Sequence, residues 1–490
     1  MKFFSYLSLA FTGLLTLMVL TSCSNNDPND PKTGKLLPSA KMGAEFRSLQ
    51  RVLSEDGQAI ANAQILIGTA VDTPFKGNFL TTDQNGQFPV PEGWIAPQAV
   101  TISAPGFVRA TYLAQSSGGQ PFVLRKDGAH GNFELTGQTP GVNIVGGDGN
   151  AYFSLIVPVL QRNDILHFNL GMFLSPQKDE ISVLGQTMSV PSNLTLPKQK
   201  QSYVLPFTLN KPIYRNYFET SGPKRVLALS GKFPFKKVVD KIRGGTPFYL
   251  ISNDMQILSG GVTDASLVAP STTSDIPANQ FSINESRSFS SAAVGSGELL
   301  LGVALTNNKG DLVLTDVKVL TPNAQNALGV QSGNDVQLLS LLKKQSEMQS
   351  GPGEDRLSAV MLPFTSGATP QHLPLLENPR LMSNTTVQIQ KIQVPGPLKA
   401  LATYGSLQTL KRETLKDGSL LETPTQVWEV YASDWVDTIE IPLWPGDPAI
   451  STGNMRWSVA LVAGAQQANV DLGPSLMQNV THVTNTSIDF

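Results

Sequence analysis

Cysteine is nearly absent: one residue, Cys23, stands in a chain of 490. A single thiol closes no intramolecular disulfide, and it supplies one ligand where a structural zinc site takes four. Histidine is scarce as well. His130, His167, His372 and His482 lie far apart in the chain, so the paired histidines of an H-E-x-x-H metal site are missing. The G-x-S-x-G turn of α/β-hydrolases is also missing. So are the G-x-x-x-x-G-K phosphate loop and a G-x-G-x-x-G in a strand-turn-helix setting. Charge is thin, at 15% of residues, where soluble domains carry about a quarter. The net charge of −2 argues against a general nucleic-acid binder, because neutralising phosphates needs a basic excess.

The chain is 40% hydrophobic, enough to build cores, and it holds 42 Gly and 34 Pro. Many turn formers and few long helical periods predict short strands joined by frequent turns. The length predicts two to four domains. The expected fold class is mainly β: several β-sandwich domains in tandem behind an exported N-terminus.

That N-terminus has its own pattern. Lys2 is followed by FFSYLSLAFTGLLTLMVL, residues 3–20, without a charge. The run is just long enough for a membrane span, and it also suits a secretory signal with a short basic start. The junction Leu20-Thr21-Ser22-Cys23, followed by the polar Ser24-Asn25-Asn26-Asp27-Pro28, resembles the lipobox of bacterial lipoproteins. The resemblance implies cleavage before Cys23, a diacylglycerol thioether on its sulfur and an acyl chain on its new amino group. It requires no other cofactor, and it places the protein in the bacterial cell envelope. Ser24 after the cysteine favours the outer membrane. Residues 1–22 are then the signal peptide and 23–45 a flexible tether.

From Phe46 a regular pattern starts. Leu49 to Leu53 and Ala63 to Ile67 predict strands, as do Phe79 to Thr82, Gln87 to Val90, Val100 to Ser103 and Phe107 to Tyr112. Asp83-Gln84-Asn85-Gly86 marks a hairpin, since Asn and Gly accept positive φ. The residues GQAIANAQILI from Gly57, Thr82 to Phe88 and Pro105-Gly106-Phe107 resemble the carboxypeptidase regulatory-like family, a small transthyretin-like sandwich. The resemblance covers residues 46–126 and implies a fold, not an activity. Asp83 and Asn85 are a weak calcium candidate, because Ca²⁺ takes six to eight oxygens; a plain turn is the simpler reading.

Residues 127–290 form a β-rich middle region that opens on a Gly- and Asp-rich boundary loop ending at Asn150, and 291–375 a hairpin and short-helix region. Gly297 to Leu320 predicts two strands around Asn307-Asn308-Lys309-Gly310, and the Ser/Thr-rich stretch 264–296 predicts a linker or long surface loop. Val336, Leu338, Leu339, Leu341 and Leu342 predict a short helix over 335–348, stopped by Gln349 to Gly353. In residues 376–490, Val387 to Ile392, Val427 to Tyr431 and Arg456 to Leu461 alternate strictly. The block from Trp428 to Ala463 resembles fibronectin-III or immunoglobulin-like modules of bacterial surface proteins. Trp428 and Trp457 are expected in the core. Trp435 and Trp444, flanked by Asp434, Asp437 and Pro445, are expected nearer the surface, where they are the candidates for stacking a sugar.

One segment departs from the low charge. Lys198, Lys200, Lys211, Arg215, Lys224, Arg225, Lys232, Lys236, Lys237, Lys241 and Arg243 face only Glu219 and Asp240. Tyr203, Phe207, Tyr214, Tyr217, Phe218, Phe233 and Phe235 are interleaved. Within it, FKKVVDKIRGG predicts an amphipathic helix with Phe235, Val238, Val239 and Ile242 on one face. Such a segment serves either as a solvated face whose bases pair with acids elsewhere, or as a surface for anionic lipid, lipopolysaccharide or glycan. The expectation for the whole is a non-catalytic structural, adhesive or ligand-binding protein at the cell surface. Its partners would be the membrane, through the lipid anchor, and such an anionic ligand or another envelope protein. The alternative is a surface hydrolase acting on glycan or peptide, with carboxylates such as Asp434, Asp437 and Glu440 gathered by the fold.

Overall fold

A computed structural model describes residues 49–490 apart from 70–78, 129, 143–148, 168–172, 176, 184–185, 198–209, 309–310, 334, 349–355, 415–419, 445–452, 467 and 469. The signal, Cys23 and the tether lie outside the described residues. So do residues 129 and 143–148 of the Gly/Asp boundary stretch, Lys198, Lys200, Tyr203, Phe207, the Lys309-Gly310 turn and the Gln349 to Gly353 stop; the boundary stretch is not a plain loop, because His130–Gly137 within it is a strand paired with Tyr214–Thr220.

The chain is mainly β, as its turn-rich composition predicts. The dominant element is a sheet of twelve strands. In chain order these are β1 (Gln64–Ile67), β2 (Leu80–Thr81), β3 (Gln98–Ser103), β4 (Arg109–Gln115), β5 (Glu298–Asn308) and β6 (Asp311–Val319). They continue with β7 (Val336–Lys344), β8 (Leu357–Pro363), β9 (Leu398–Thr414), β10 (Leu420–Ala432), β11 (Met455–Ala465) and β12 (His482–Asp489). Their order across the sheet is β6-β5-β7-β8-β12-β11-β9-β10-β4-β3-β1-β2. Neighbours pair antiparallel except at one seam, where β10 runs parallel to β4 with Trp428 opposite Arg109 and Tyr431 opposite Tyr112. That seam joins residues 46–126 to residues 376–490. The expected boundaries at 126, 290 and 375 all fall within one packed unit, Ser48–Phe490.

Residues 49–124 have the two layers of a sandwich. Leu49–Ser54 pairs with Gln87–Pro89 and Phe122–Leu124 in a second, three-stranded sheet. Val52, Phe88 and Phe122 from it pack with Ile65, Ile102 and Tyr112 from β1, β3 and β4. The Asp83–Gly86 stretch is a plain turn, in which Asp83 Oδ1 accepts the N–H groups of Asn85 (2.9 Å) and Gln87 (2.8 Å), but it closes no hairpin: β2 before it and Gln87–Pro89 after it belong to different sheets. In the middle segment, Asn150–Pro158, Gly222–Pro234 and Gln256–Leu267 are the central strands of a five-stranded sheet. The Leu160–Leu312 bridge ties that segment to β6.

Three expectations are corrected. Residues 336–344 are strand, not helix; only Gln345–Glu347 turns, as a 3₁₀ segment. Both faces of β7 are covered. Val336, Leu338 and Leu342 pack into one core cluster and Leu339 and Leu341 into another. A strand buried on both faces carries a continuous apolar run, which periodicity alone does not separate from a helix. Burying each of these side chains contributes about 1.5–3 kcal/mol. The Ser/Thr-rich stretch 264–296 is no linker. It completes one strand, adds Ser271–Thr273, Phe281–Ser282 and Glu285–Ser290, and buries Ile276, Ala278 and Phe289. Finally, the strand expected over 387–392 is confined to Thr386–Gln388.

Candidate functional site

The helix in the basic segment forms: α1 covers Phe235–Arg243, with Phe235, Val238 and Val239 buried, while Ile242, expected on the same face, is exposed at the helix end. Gly245, just past its end, has a φ of +72°, where a side chain would be strained. Lys211 is a correction to the surface reading, because it is only 7% exposed. Its Nζ donates to the carbonyls of Pro191 (3.2 Å), Ser192 (3.0 Å) and Leu194, and lies 3.1 Å from Asp179. Burial pulls its pKa down to about 8. Arg215 pairs with the same Asp179. Arg225 bridges Asp264 (3.2 Å) and Asp311, Lys224 donates to Thr220 Oγ1, and Lys237 (2.7 Å) and Lys241 close on Asp254. Lys232 is half-buried, and Lys236 and Arg243 are exposed. Five of the nine described bases thus sit in ion pairs with aspartates, which is the arrangement of a face neutralised from within the fold.

The C-terminal tryptophans divide differently from expectation. Trp428 and Trp457 are buried as expected, but so is Trp444, at 8% exposure. Its ring packs on Phe79, with centroids 4.8 Å apart, and under the Arg109 guanidinium, 4.5 Å from the centroid. Trp435 is half-buried, and its indole N–H donates to Val462 O at 2.8 Å. Trp444 therefore presents no bare face of the kind that sugar stacking uses. Asp437 is exposed and held by Lys391 at 2.8 Å; the hydrogen bond from Lys391 lowers its pKa. Among the described residues no His/Cys/Asp/Glu cluster with metal-binding geometry is present.

Two sites at the β4–β10 seam are not visible from residue spacing. On one face, Glu429 is fully buried. It accepts hydrogen bonds from Tyr431 Oη (2.8 Å), Gln426 Nε2 (3.0 Å) and Tyr404 Oη (3.3 Å), and Arg125 Nε lies 2.9 Å away. Burial works against the charge of Arg125, but Glu429 together with Tyr404, Tyr431 and Glu55 more than offsets it, and the guanidinium pKa is raised. Burial, reinforced by Glu429, pushes the Tyr431 hydroxyl far above its usual range. The cluster is an ion pair locked by tyrosines that stay protonated. The sequence signal for it is a glutamate inside the buried run VWEVYA.

On the other face is a half-open cavity of about 210 Å³. Ser103, Phe107, Arg109, Val427, Trp428 and Met455 line it. The guanidinium of Arg109 stacks over Trp428 at 4.6 Å as well as over Trp444. Trp428 is anchored in turn by its indole N–H, which donates to Thr111 Oγ1 at 2.9 Å.

No family model matches the chain, and no curated protein matches it. Among solved structures it is similar to the Bacillus anthracis TIE protein, with 8% identity and a TM-score of 0.16 over 66% of this chain. The chain spans about half of that protein, 48% of its length. It is also similar to BcpA, the major pilin subunit of Bacillus cereus, with 8% identity and a TM-score of 0.15 over 66% of this chain and 98% of that one. A third likeness is to the pilus adhesin SpaC from Lactobacillus rhamnosus GG, with 9% identity and a TM-score of 0.12 over 81% of this chain and 44% of that one.

Proposed function

We propose that this chain is a lipid-anchored protein of the bacterial outer membrane whose β framework has a non-catalytic, structural or ligand-binding role. The observation that carries the reading is the single cysteine at the Leu20-Thr21-Ser22-Cys23 junction, between an apolar run and a polar tether. Two or three acyl chains at one residue give a stable anchor, where a single chain holds only marginally. The rest of the chain suits a body displayed on such an anchor. Its first and last β segments share a sheet across the parallel seam, and its buried charges are matched in place. The framework relies on packing and ion pairs without any disulfide, since Cys23 has no cysteine partner in the chain.

Mass spectrometry of the mature protein tests the reading. The expected N-terminus is Cys23, carrying the mass of a diacylglycerol thioether and an N-acyl chain. An inhibitor of signal peptidase II should leave the uncleaved form. A mature N-terminus elsewhere, or an unmodified Cys23, would overturn it.

A further inference from the structure

The chain enters its β body at one end of the first sandwich, and that end carries Ile95, which at 90% is the most exposed large hydrophobic side chain among the described residues. Leu49, the first residue of the strand Leu49–Ser54, lies opposite Pro89 and is itself 53% exposed. The two strands run antiparallel, so the loop 90–97 that follows Pro89 turns at the end where the chain enters. The loop 116–121 lies there too, because it leads from β4 into Phe122–Leu124, which runs parallel to Leu49–Ser54.

Ile95 is held out by the backbone beneath it. Its neighbour Trp94 is 3% exposed and packs into the main core cluster. The Trp94 indole N–H donates to Gln115 O at the end of β4, at 3.1 Å. The Trp94 N–H donates to Pro91 O and the Ile95 N–H to Gly93 O, each at 3.0 Å. A side chain presented on a fixed backbone loses little freedom when it binds. A single exposed hydrophobic residue is ordinary on a protein surface; its surroundings set this one apart. Ala96 and Pro97 beside it are exposed, as is Pro121 in the second loop. Residues 114–121 carry no charge, Glu92 is the one charged residue in 90–97, and neither loop holds a lysine or arginine.

We propose that this end of the first sandwich is a lipid-contact surface, where Ile95 enters the headgroup boundary of the bilayer that holds the anchor. The inference rests on the anchor at Cys23 proposed above, because residues 23–48 then tether the body by this end. Tethering makes the contact intramolecular, so it needs little affinity of its own. Ile95 gains by leaving water, and the uncharged loop 114–121 gives up no ionic hydration on approach. Without a basic patch in either loop, the contact does not depend on anionic headgroups.

The test uses the full acylated chain in phosphatidylethanolamine–phosphatidylglycerol vesicles that carry a nitroxide on the lipid chains near the headgroup. With Cys23 acylated, an introduced cysteine is the free thiol that takes a fluorescent label. Ser117→Cys reports the entry end, and Gln84→Cys, in the turn at the other end of Gln87–Pro89, reports the far end. The Ser117 label should be quenched and the Gln84 label left unquenched, with no loss of the contrast in high salt. Ile95→Asp in the Ser117→Cys chain should drop quenching to the Gln84 level with the melting temperature unchanged, while Ile95→Leu should keep it. Equal quenching at both positions, quenching untouched by Ile95→Asp, or a contrast that salt removes would each overturn the proposal while Cys23 remains acylated. An unmodified Cys23 in the mature protein's mass would overturn the anchor and this contact together.

Discussion

Arg456 stands directly across the β11–β12 pair from Asp489, its Nε 2.7 Å from Asp489 Oδ1, while its Nη1 reaches Glu422 on β10 at 2.8 Å. Arg412 on β9 closes the square, 3.0 Å from Glu422 and also paired with Asp489. The side chains of Arg456 and Glu422 are only 6% and 7% exposed, so these charges are taken from water and must satisfy each other. The four strands β9 to β12 are adjacent in the sheet, and the network cross-links them near their ends.

Removing one member therefore costs more than removing the pair. Arg456→Met leaves Glu422 buried beside one remaining partner and should destabilise the protein by about 3–5 kcal/mol. The double variant Arg456→Met with Glu422→Leu should recover part of that loss, because the buried carboxylate goes with its partner. Urea unfolding of the two single variants and the double measures it. Losses that simply add in the double variant would show that the two charges do not depend on each other.

At the seam, Glu429→Gln keeps the shape but removes the negative charge that faces Arg125. A loss of about 1–3 kcal/mol is expected, since the tyrosine hydroxyls still find a carbonyl oxygen and Arg125 is partly solvated. Amide hydrogen exchange should localise the loosening to β4 and β10, which pair there. Uniform loosening over the whole sheet would assign Glu429 a different role.

The β class and several elements are legible in the residue pattern, and physical reasons separate those from the rest. Turn residues mark the hairpins, and alternation marks strands with one covered face. β7 defeats periodicity because both its faces are covered, so its leucines carry no period of two. The basic segment displays its net charge but not its partners, because Asp179, Asp254, Asp264 and Asp311 come from other places in the chain. Trp444 reads as exposed beside Pro445 because its cover, Phe79 and Arg109, lies far earlier in the chain. The seam cavity is illegible for the same reason: it exists only where β4 and β10 pair in parallel.

Two scattered histidines acquire a shared property in the fold. Burial lowers the pKa of His372 to about 4, countered by a hydrogen bond to the Ser340 backbone and deepened by His482. Burial also lowers His482 to about 4. In the unfolded chain both protonate near 6.5, so the unfolded state binds more protons between pH 6.5 and 4. Their contribution is complete above pH 6.5 and falls as the pH drops towards 4, by up to about 3 kcal/mol for each ring. Unfolding followed at pH 7, 5.5 and 4.5 should show this slope, and His372→Gln with His482→Gln should flatten it. An unchanged slope in the double variant would move the acid sensitivity to the carboxylates.

The turn that anchors the first sandwich gives a test of backbone strain against crowding. Gly86 has a φ of +69°, and a Cβ there would lie 2.5 Å from the Val52 carbonyl oxygen, which the neighbouring strand holds in place. The Val52 N–H also donates to Gly86 O at 2.8 Å, so the two backbones have no freedom to part. Gly57 has nearly the same φ, +75°, but a Cβ there meets nothing within 4 Å. Gly57→Ala should therefore show the conformational cost alone, about 1 kcal/mol. Gly86→Ala adds the clash and should cost roughly 1–3 kcal/mol more. Thermal unfolding of the two variants side by side separates the terms. Equal losses would mean that Val52 yields at little cost and that the turn is not pinned to its neighbour.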